Sequence, residues 1–146
     1  MSKARAGPIV RTQQPFRFPV RVYYEDTDAA GVVYYANYLK FMERARTEWL
    51  AALGFPLAAF ERDHGVVFVV HRCEIDFHLS ARLNDALDVT VEPAKVGAST
   101  LKARQQVLRG ADVVTSALIT LACLDAARWR PVRMPAVLVQ HLEIAA

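Results

Sequence analysis

Hydrophobic and polar positions change their spacing twice along the chain. Residues Phe18 to Tyr24 are aromatic and β-branched, which predicts a first strand. From Val33 to Leu53 the apolar residues recur every three or four positions, which predicts one long helix that ends before Gly54. Its apolar stripe comprises Tyr34, Tyr38, Phe41, Ala45, Trp49 and Leu53. On the polar face, Glu43 and Arg46 lie three residues apart, and we expect them to meet on the surface.

Alternation with a period of two follows the helix, after a short irregular stretch. From Val67 to Ser80, the residues Cys73, Ile75 and Phe77 face one way and polar residues face the other. Three further strands are predicted over residues 87–92, 101–108 and 113–124, and residues 135–144 add a final helical turn or two. This order predicts an α+β domain in which a curved antiparallel sheet of five strands wraps one long helix.

Composition indicates one globular domain. A chain of 146 residues with 53% hydrophobic and 23% charged residues can bury a core without disulfides or metals and leaves apolar surface for an oligomer interface. Residues 1–14 are basic and interrupted by proline, so we expect a flexible tail there and a single domain over residues 15–146. No signal-peptide core and no stretch of transmembrane length is found, so membrane insertion is not expected.

Charge and motif content narrow the chemistry. The net charge of +3 is spread along the chain without a basic stripe, which argues against a nucleic-acid partner. Cys73 and Cys123 lack metal-type spacing, which favours a reducing cytoplasm and no metal or other cofactor. His71 and Cys73 are expected to be a core pair rather than a nucleophile with its base. Motifs of serine hydrolases, zinc hydrolases and phosphate-binding loops are missing from the sequence.

The start of the long helix carries the candidate chemistry. Asp26 and Asp28 lie between the first strand and the helix, and Gly31 follows. The first backbone N–H groups of a helix lack internal acceptors, and its dipole is positive there. An acid at this place can cap the helix, or it can attack or activate water at a carbonyl that the N–H groups polarise. Tyr34 and Tyr35 beside these acids can be core residues or a substrate wall.

The residues of this segment resemble a known signature. The run from Val22 to Leu39, VYYEDTDAAGVVYYANYL, resembles that of the 4-hydroxybenzoyl-CoA thioesterase family of hotdog proteins. Its continuation from Lys40 to Leu50, KFMERARTEWL, is similar to the Tol-Pal-associated acyl-CoA thioesterase branch. The resemblance extends over residues 18–135 in element order and is specific over residues 22–54. It implies a hotdog fold and hydrolysis of acyl-CoA thioesters to free acid and CoA.

The same resemblance implies roles for individual residues. Asp28 corresponds to the catalytic aspartate, as nucleophile or general base, and Tyr35 to the residue whose backbone N–H polarises the carbonyl. Substrate-binding positions are Gly31, Val33, Tyr34 and Asn37 near the helix start. Basic candidates for the CoA phosphates are Lys95, Lys102, Arg130 and Arg133, together with Arg104 and Arg128. The Tol-Pal branch often has His in place of Tyr35, so no catalytic histidine is assigned and the acyl specificity stays open.

Partners and alternatives also follow from the resemblance. Related sites lie between two subunits, which implies a homodimer, and homotetramers are common in the family. Acyl-CoA is the expected substrate, and an acyl carrier protein is a further candidate partner. One alternative is a hotdog hydratase or dehydratase, which pairs His with an acid, but no His lies at this helix start. The other is a non-catalytic acyl-carrier or envelope-complex partner, which the presence of Asp28 and Gly31 disfavours.

Overall fold

Eight regular elements carry the fold. The computed structural model describes residues 14–145, so the expected tail lies outside the described residues except for Gln14. The elements in chain order are β1 (Phe16–Arg21), α1 (Asn37–Ala52), α2 (Leu57–His64), β2 (Val66–Phe77), β3 (Ala86–Val96), β4 (Thr100–Arg109), β5 (Asp112–Asp125) and α3 (Ala136–Ala145). A 3-10 turn, Tyr24–Asp26, lies between β1 and α1.

The five strands form one antiparallel sheet in the order β1-β3-β4-β5-β2. Tight turns join β3 to β4 and β4 to β5, and Gly110 in the second turn has φ +62°. The strand that follows the helices, β2, pairs only with β5 and therefore forms one edge of the sheet. The predicted α+β architecture, the hotdog fold with five antiparallel strands around a long helix, is confirmed.

The core lies between α1 and the concave face of the sheet. Buried residues of α1 are Tyr38, Phe41, Met42, Ala45, Trp49 and Leu50. Facing them are buried sheet residues, among them Leu87, Val89, Val91, Leu101, Ala103, Val107 and Ile119. Burying one such large side chain contributes roughly 1.5–3 kcal/mol, so this helix-to-sheet contact is the main stabilising layer.

Several element boundaries differ from the prediction. The helix begins at Asn37 rather than Val33, because Val33 is held in extended backbone. The Val33 N–H donates to the carbonyl of Ala81 over 2.9 Å, and Val33 forms an isolated β-bridge with Thr27. Tyr34 is consequently outside the helical stripe and exposed. The stretch taken as irregular contains α2, which the Phe60–Phe68 ring stack at 5.5 Å holds against β2.

An ion pair fixes the loop between β2 and β3. The carboxylate of Asp85 accepts hydrogen bonds from the Arg82 backbone N–H and from the Arg109 guanidinium, both at 2.8 Å. Arg109 also donates to the carbonyl of Ser80 over 3.0 Å. The Arg82 N–H, and after it Arg109, lowers the pKa of Asp85 below its usual value. This loop supplies the Ala81 carbonyl that holds Val33, so it supports the segment before α1.

We expect Asp85→Asn to reduce the free energy of unfolding at pH 7 by about 1 kcal/mol, because a charged acceptor is lost. Since the folded-state pKa is lowered, this stabilisation is present above the unfolded pKa of about 4 and disappears as the pH falls through the folded value. Urea unfolding of the wild type and the variant at pH 7 and at about pH 3, below the unfolded pKa, measures it. An equal difference between the two proteins at both pH values would contradict the assignment.

Candidate active site

Two acids two residues apart have different surroundings before α1. Asp26 is buried, and both of its carboxylate oxygens are bonded. Oδ2 accepts from the Tyr23 backbone N–H at 2.8 Å, and Oδ1 accepts from the Asn37 side-chain amide at 3.0 Å. Asp26 thereby connects the end of β1 to the first residue of the helix. Asp26 therefore has a structural role, because it orients the segment that carries Asp28.

Asp28 is exposed at the tip of a tight turn. Its Oδ1 accepts from the Ala30 backbone N–H at 2.9 Å, and within residues 14–145 no bond to Oδ2 is formed. The Asp28 N–H donates to the Val32 carbonyl, and the Gly31 N–H donates to the Asp28 carbonyl at 3.0 Å. Gly31 has φ +80°, a conformation that side-chain-bearing residues rarely adopt. The turn thus presents a carboxylate with one unbonded oxygen to solvent.

The start of α1 offers free donors beside this turn. The Tyr34 N–H donates to the carbonyl of Asp26 at 2.9 Å, whereas the N–H groups of Tyr35 and Ala36 donate to no atom of the described residues. No side chain caps the helix at Ala36. Neither acid therefore caps α1 within the described residues. Unbonded N–H groups at the positive end of a helix dipole attract an oxygen that carries negative charge.

Aromatic rings surround the free donors. The Tyr35 ring is 62% exposed and meets Phe77, at the end of β2, edge to face with centroids 6.0 Å apart. Tyr34 packs at 5.1 Å from Tyr35 and is also exposed. Tyr38 is buried, and its hydroxyl accepts the Ala81 N–H at 3.1 Å. Two of the tyrosines therefore form a surface wall beside the turn, and the third belongs to the core.

The predicted substrate-binding residues near the helix differ in burial. Gly31 and Tyr34 are at the surface beside Asp28. Val33 and Asn37 are buried behind the turn, where Asn37 holds Asp26. The Asp26–Asn37 hydrogen bond was not predicted from the sequence. A polar residue at the first position of a helix, next to the buried Tyr38, was the available signal.

The predicted CoA-binding residues lie at the opposite end of the sheet. Lys95 and Lys102 are register partners at the tip of the β3–β4 hairpin. The loop with Arg130 and Arg133 attaches to this tip through the Met134 N–H, which donates to the Ala98 carbonyl at 2.9 Å. That end contains the start of β2, and Asp28 is near the end of β2. At about 3.3 Å per strand residue, the loop of Arg130 and Arg133 lies roughly 30 Å along the sheet from the level of Phe77, and Lys102 roughly 17 Å from it. One chain therefore does not bring Asp28 and these cations together.

The face of β2 that points toward the helices is partly uncovered. Val70 is 53% exposed and Phe77 is 47% exposed, although both point toward the helix side of the sheet. Leu79 and Leu83, just beyond the strand, are exposed as well. Such an apolar patch on an edge strand is typical of a surface that another polypeptide covers.

The expected core pair of His71 and Cys73 is wrong. A register shift between Val70 and Arg72 places His71 in a β-bulge, and both His71 and Cys73 are exposed. Partial burial raises the pKa of the Cys73 thiol, an effect that Arg46 opposes, so the thiolate is disfavoured at neutral pH. Across residues 14–145 no group of three or more His, Cys, Asp or Glu side chains is arranged to hold a metal ion.

In the part of the chain that the structure describes, no helix is both long and apolar enough to span a bilayer.

Comparison with known proteins places the chain in a family. A family model described as thioesterase-like superfamily matches residues 22–142, which include the turn, α1 and strands β2 to β5. The acyl-CoA thioesterase YbgC of Haemophilus influenzae is 43% identical over 120 residues, which are 82% of this chain and 88% of the relative. The acyl-CoA thioester hydrolase YbgC of Escherichia coli O6:H1 is 38% identical over 129 residues, 88% of this chain and 96% of the relative.

A solved structure agrees in fold. The 1,4-dihydroxy-2-naphthoyl-CoA thioesterase from Synechocystis has a TM-score of 0.80 and 21% identity, over 88% of this chain and 96% of that one. Identity that low establishes only the shared fold. The family match covers the acid-bearing turn and the helix behind it, and the chain belongs to the thioesterase-like superfamily.

Proposed function

We propose that this protein is an acyl-CoA thioesterase that hydrolyses the thioester to a free acid and CoA, with Asp28 as the catalytic carboxylate. The observation that carries the proposal is the juxtaposition of the exposed Asp28 turn with the unbonded Tyr35 N–H at the start of α1. Relatives at 43% and 38% identity that carry the names acyl-CoA thioesterase and acyl-CoA thioester hydrolase support the reaction class.

The chemistry needs an electrophilic carbonyl and an oxygen nucleophile. The thioester carbonyl oxygen accepts the Tyr35 N–H, and the helix dipole stabilises the negative charge that develops on it. Asp28 then either attacks the carbonyl carbon or removes a proton from the attacking water. In both routes the C–S bond breaks, CoA leaves as thiolate and takes up a proton. In the first route water then hydrolyses the mixed anhydride and regenerates Asp28.

We expect Asp28→Asn to reduce turnover by about 10²–10⁴-fold, because the amide neither attacks nor accepts the proton. Its free energy of unfolding stays within about 0.5 kcal/mol of the wild type, since Asp28 is exposed. Thiol release from a panel of aromatic, short-chain and long-chain acyl-CoAs measures activity, and thermal unfolding measures stability.

Two control variants separate chemistry from folding. Asp26→Asn is expected to lose about 1–3 kcal/mol of stability, because a buried acceptor for Tyr23 and Asn37 is replaced. Asp63→Asn, at an exposed site on α2, is expected to change neither property. Wild-type turnover in Asp28→Asn would exclude the proposed mechanism.

The role of Tyr35 is assigned to its backbone alone. Tyr35→Phe keeps the N–H, so we expect turnover within about threefold of the wild type, well below the effect of losing an oxyanion donor. Tyr24→Phe, which alters a tyrosine that is exposed on the preceding turn, is the matched control. A loss above roughly tenfold, confined to Tyr35→Phe, would mean that the phenol takes part in proton transfer.

A second copy of the chain completes the site in this proposal. The other edge strand, β1, is short and contains Pro19, which blocks one ladder hydrogen bond, whereas β2 is long and its concave face is apolar. Antiparallel pairing of two β2 strands about a twofold axis places the start of one strand beside the end of the other. The basic cluster of one copy, which includes Arg130 and Arg133, would then lie near Asp28 of its partner and bind the CoA phosphates.

Subunit mixing tests this composite site. Asp28→Asn chains and Arg130→Ala/Arg133→Ala chains are each expected to be impaired. After random exchange half of the dimers are mixed, and each mixed dimer has one intact site, so about a quarter of wild-type activity should return. Native mass spectrometry verifies the exchange. Exchange without recovery would show that each site uses residues of one chain only.

Several finer assignments belong to the same proposal. We place the chain in the Tol-Pal-associated branch of the 4-hydroxybenzoyl-CoA thioesterase family, which its identity to the YbgC proteins supports. The proposal also includes a homotetramer of two such dimers and a cytoplasmic location. An acyl carrier protein is proposed as a second carrier of the substrate. The exposed free thiol of Cys73 is typical of a reducing compartment. A hydratase would need a His beside Asp28, and residues 22–39 contain none.

A further inference from the structure

A groove separates α1 from the uncovered part of β2. It has a volume of about 400 Å³. Its walls are mainly apolar and are formed by Leu39, Val70, Cys73 and Ile119. Three charged side chains, Lys40, Glu43 and Arg46, line it as well. The combination of apolar walls and a few polar groups is typical of a small-molecule site.

The groove lies farther along α1 and β2 than the candidate active site. Leu39, in the first turn of α1, is four residues beyond Tyr35, which precedes the helix. Cys73 and Phe77 lie on the same face of β2, and Phe77 contacts the Tyr35 ring. An acyl group whose carbonyl oxygen is bound at the Tyr35 N–H can therefore extend along this groove, away from the CoA thiol.

Arg46 occupies the far part of the groove in an unusual setting. It is half-buried, and its Nη1 donates to Oε1 of Gln105 at 2.9 Å. Gln105 is fully buried, and its amide donates to the carbonyls of Met42 at 3.1 Å and Thr90 at 3.4 Å. The buried amide is thus locked in an orientation that holds the guanidinium in place.

The guanidinium is left with spare donors. It has five N–H groups, and among the described residues it makes one hydrogen bond. The surface pair expected with Glu43 is wrong, since within residues 14–145 Arg46 forms no ion pair shorter than 4.0 Å. Burial lowers the pKa of Arg46, an effect that Glu43 partly offsets. A half-buried cation with unbonded donors is costly unless an acceptor or an anion reaches it.

We propose that Arg46, held by Gln105, selects acyl groups that carry a carboxylate or another hydrogen-bond acceptor at the end far from the thioester. This inference rests on the proposed thioesterase function and names its substrate class. The helical rise from Tyr35 to Arg46 is about 16 Å, and the arginine side chain leans back toward the helix start, so the reach suits acyl groups of medium length.

Paired substrates of equal length test the selection. Octanoyl-CoA and the mono-CoA thioester of octanedioic acid differ only in the terminal carboxylate. We expect the wild type to prefer the carboxylate in kcat/KM by about tenfold or more, because the half-buried guanidinium can bind a terminal carboxylate but not a terminal methyl group. Arg46→Met keeps an apolar stem of similar length and removes the guanidinium, and it should abolish the preference between the two substrates.

Control variants and oligomeric state complete the experiment. Arg62→Met, at an exposed position on α2, should leave the preference unchanged. Arg46→Lys keeps the charge without the planar donor set and should retain part of the preference. Thermal unfolding and light scattering are measured on every variant, so that loss of fold or of subunit association is detected.

The outcomes are distinguishable. Hydrolysis of octanoyl-CoA without a wild-type preference for the carboxylate would overturn this inference and leave the thioesterase proposal standing. An unchanged preference in a folded Arg46→Met protein would also overturn it. Equal loss on both substrates together with subunit dissociation would make Arg46 an interface residue instead. Hydrolysis of neither thioester, nor of any acyl-CoA in the wider panel, would refute the proposed function itself.

Discussion

The width of a single helix limits how much of the sheet α1 can cover. A helix with its side chains is about 10 Å across and strands are about 4.8 Å apart, so α1 can cover only two or three of five strands. It packs on β1, β3 and β4, while α2 covers the start of β2. The concave face of β2 near Phe77 is what remains uncovered. The acid-bearing turn, the aromatic wall and the groove to Arg46 all adjoin that surface.

This uncovered edge links the fold to the proposed assembly. An exposed apolar edge strand is unfavourable in water and prone to pairing. Pairing with the β2 strand of a second copy would bond its free backbone groups and cover its apolar face. The same pairing would bring cations that lie roughly 30 Å away in one chain next to the carboxylate of the other. Stability of the dimer and completion of the CoA site would then depend on one interface. A monomer would retain Asp28 and the free Tyr35 N–H but would lack the proposed phosphate contacts.

The two acids of one short turn have different surroundings and different proposed roles. Asp26 is buried and uses both carboxylate oxygens to join the end of β1 to α1, so its charge is committed to hydrogen bonds. Asp28, two residues on, faces solvent with one oxygen unbonded. Residues two apart in extended backbone would face the same way, so the turn between the acids and the contact with Asn37 decide that Asp26 is buried and Asp28 exposed. The local sequence therefore contains both acids without distinguishing them, and the resemblance to a known family was needed to select Asp28.

The sequence by itself determined the elements whose signal is periodic. The apolar stripe Tyr38 to Trp49 defined the helix, and alternation defined β2 and β3, because each pattern must bury one face. Turn signals bounded β4 and β5, and β5 is apolar on nearly both faces. It missed α2 and placed the helix start too early, since Val33 is held extended by a distant carbonyl, that of Ala81. Gln105 interrupts the apolar inner face of β4, a visible signal whose partner Arg46 lies 59 residues away in the chain. Only the tertiary structure decided which acid is exposed, where the cations lie and which face of β2 stays open, because each depends on contacts between residues far apart in sequence.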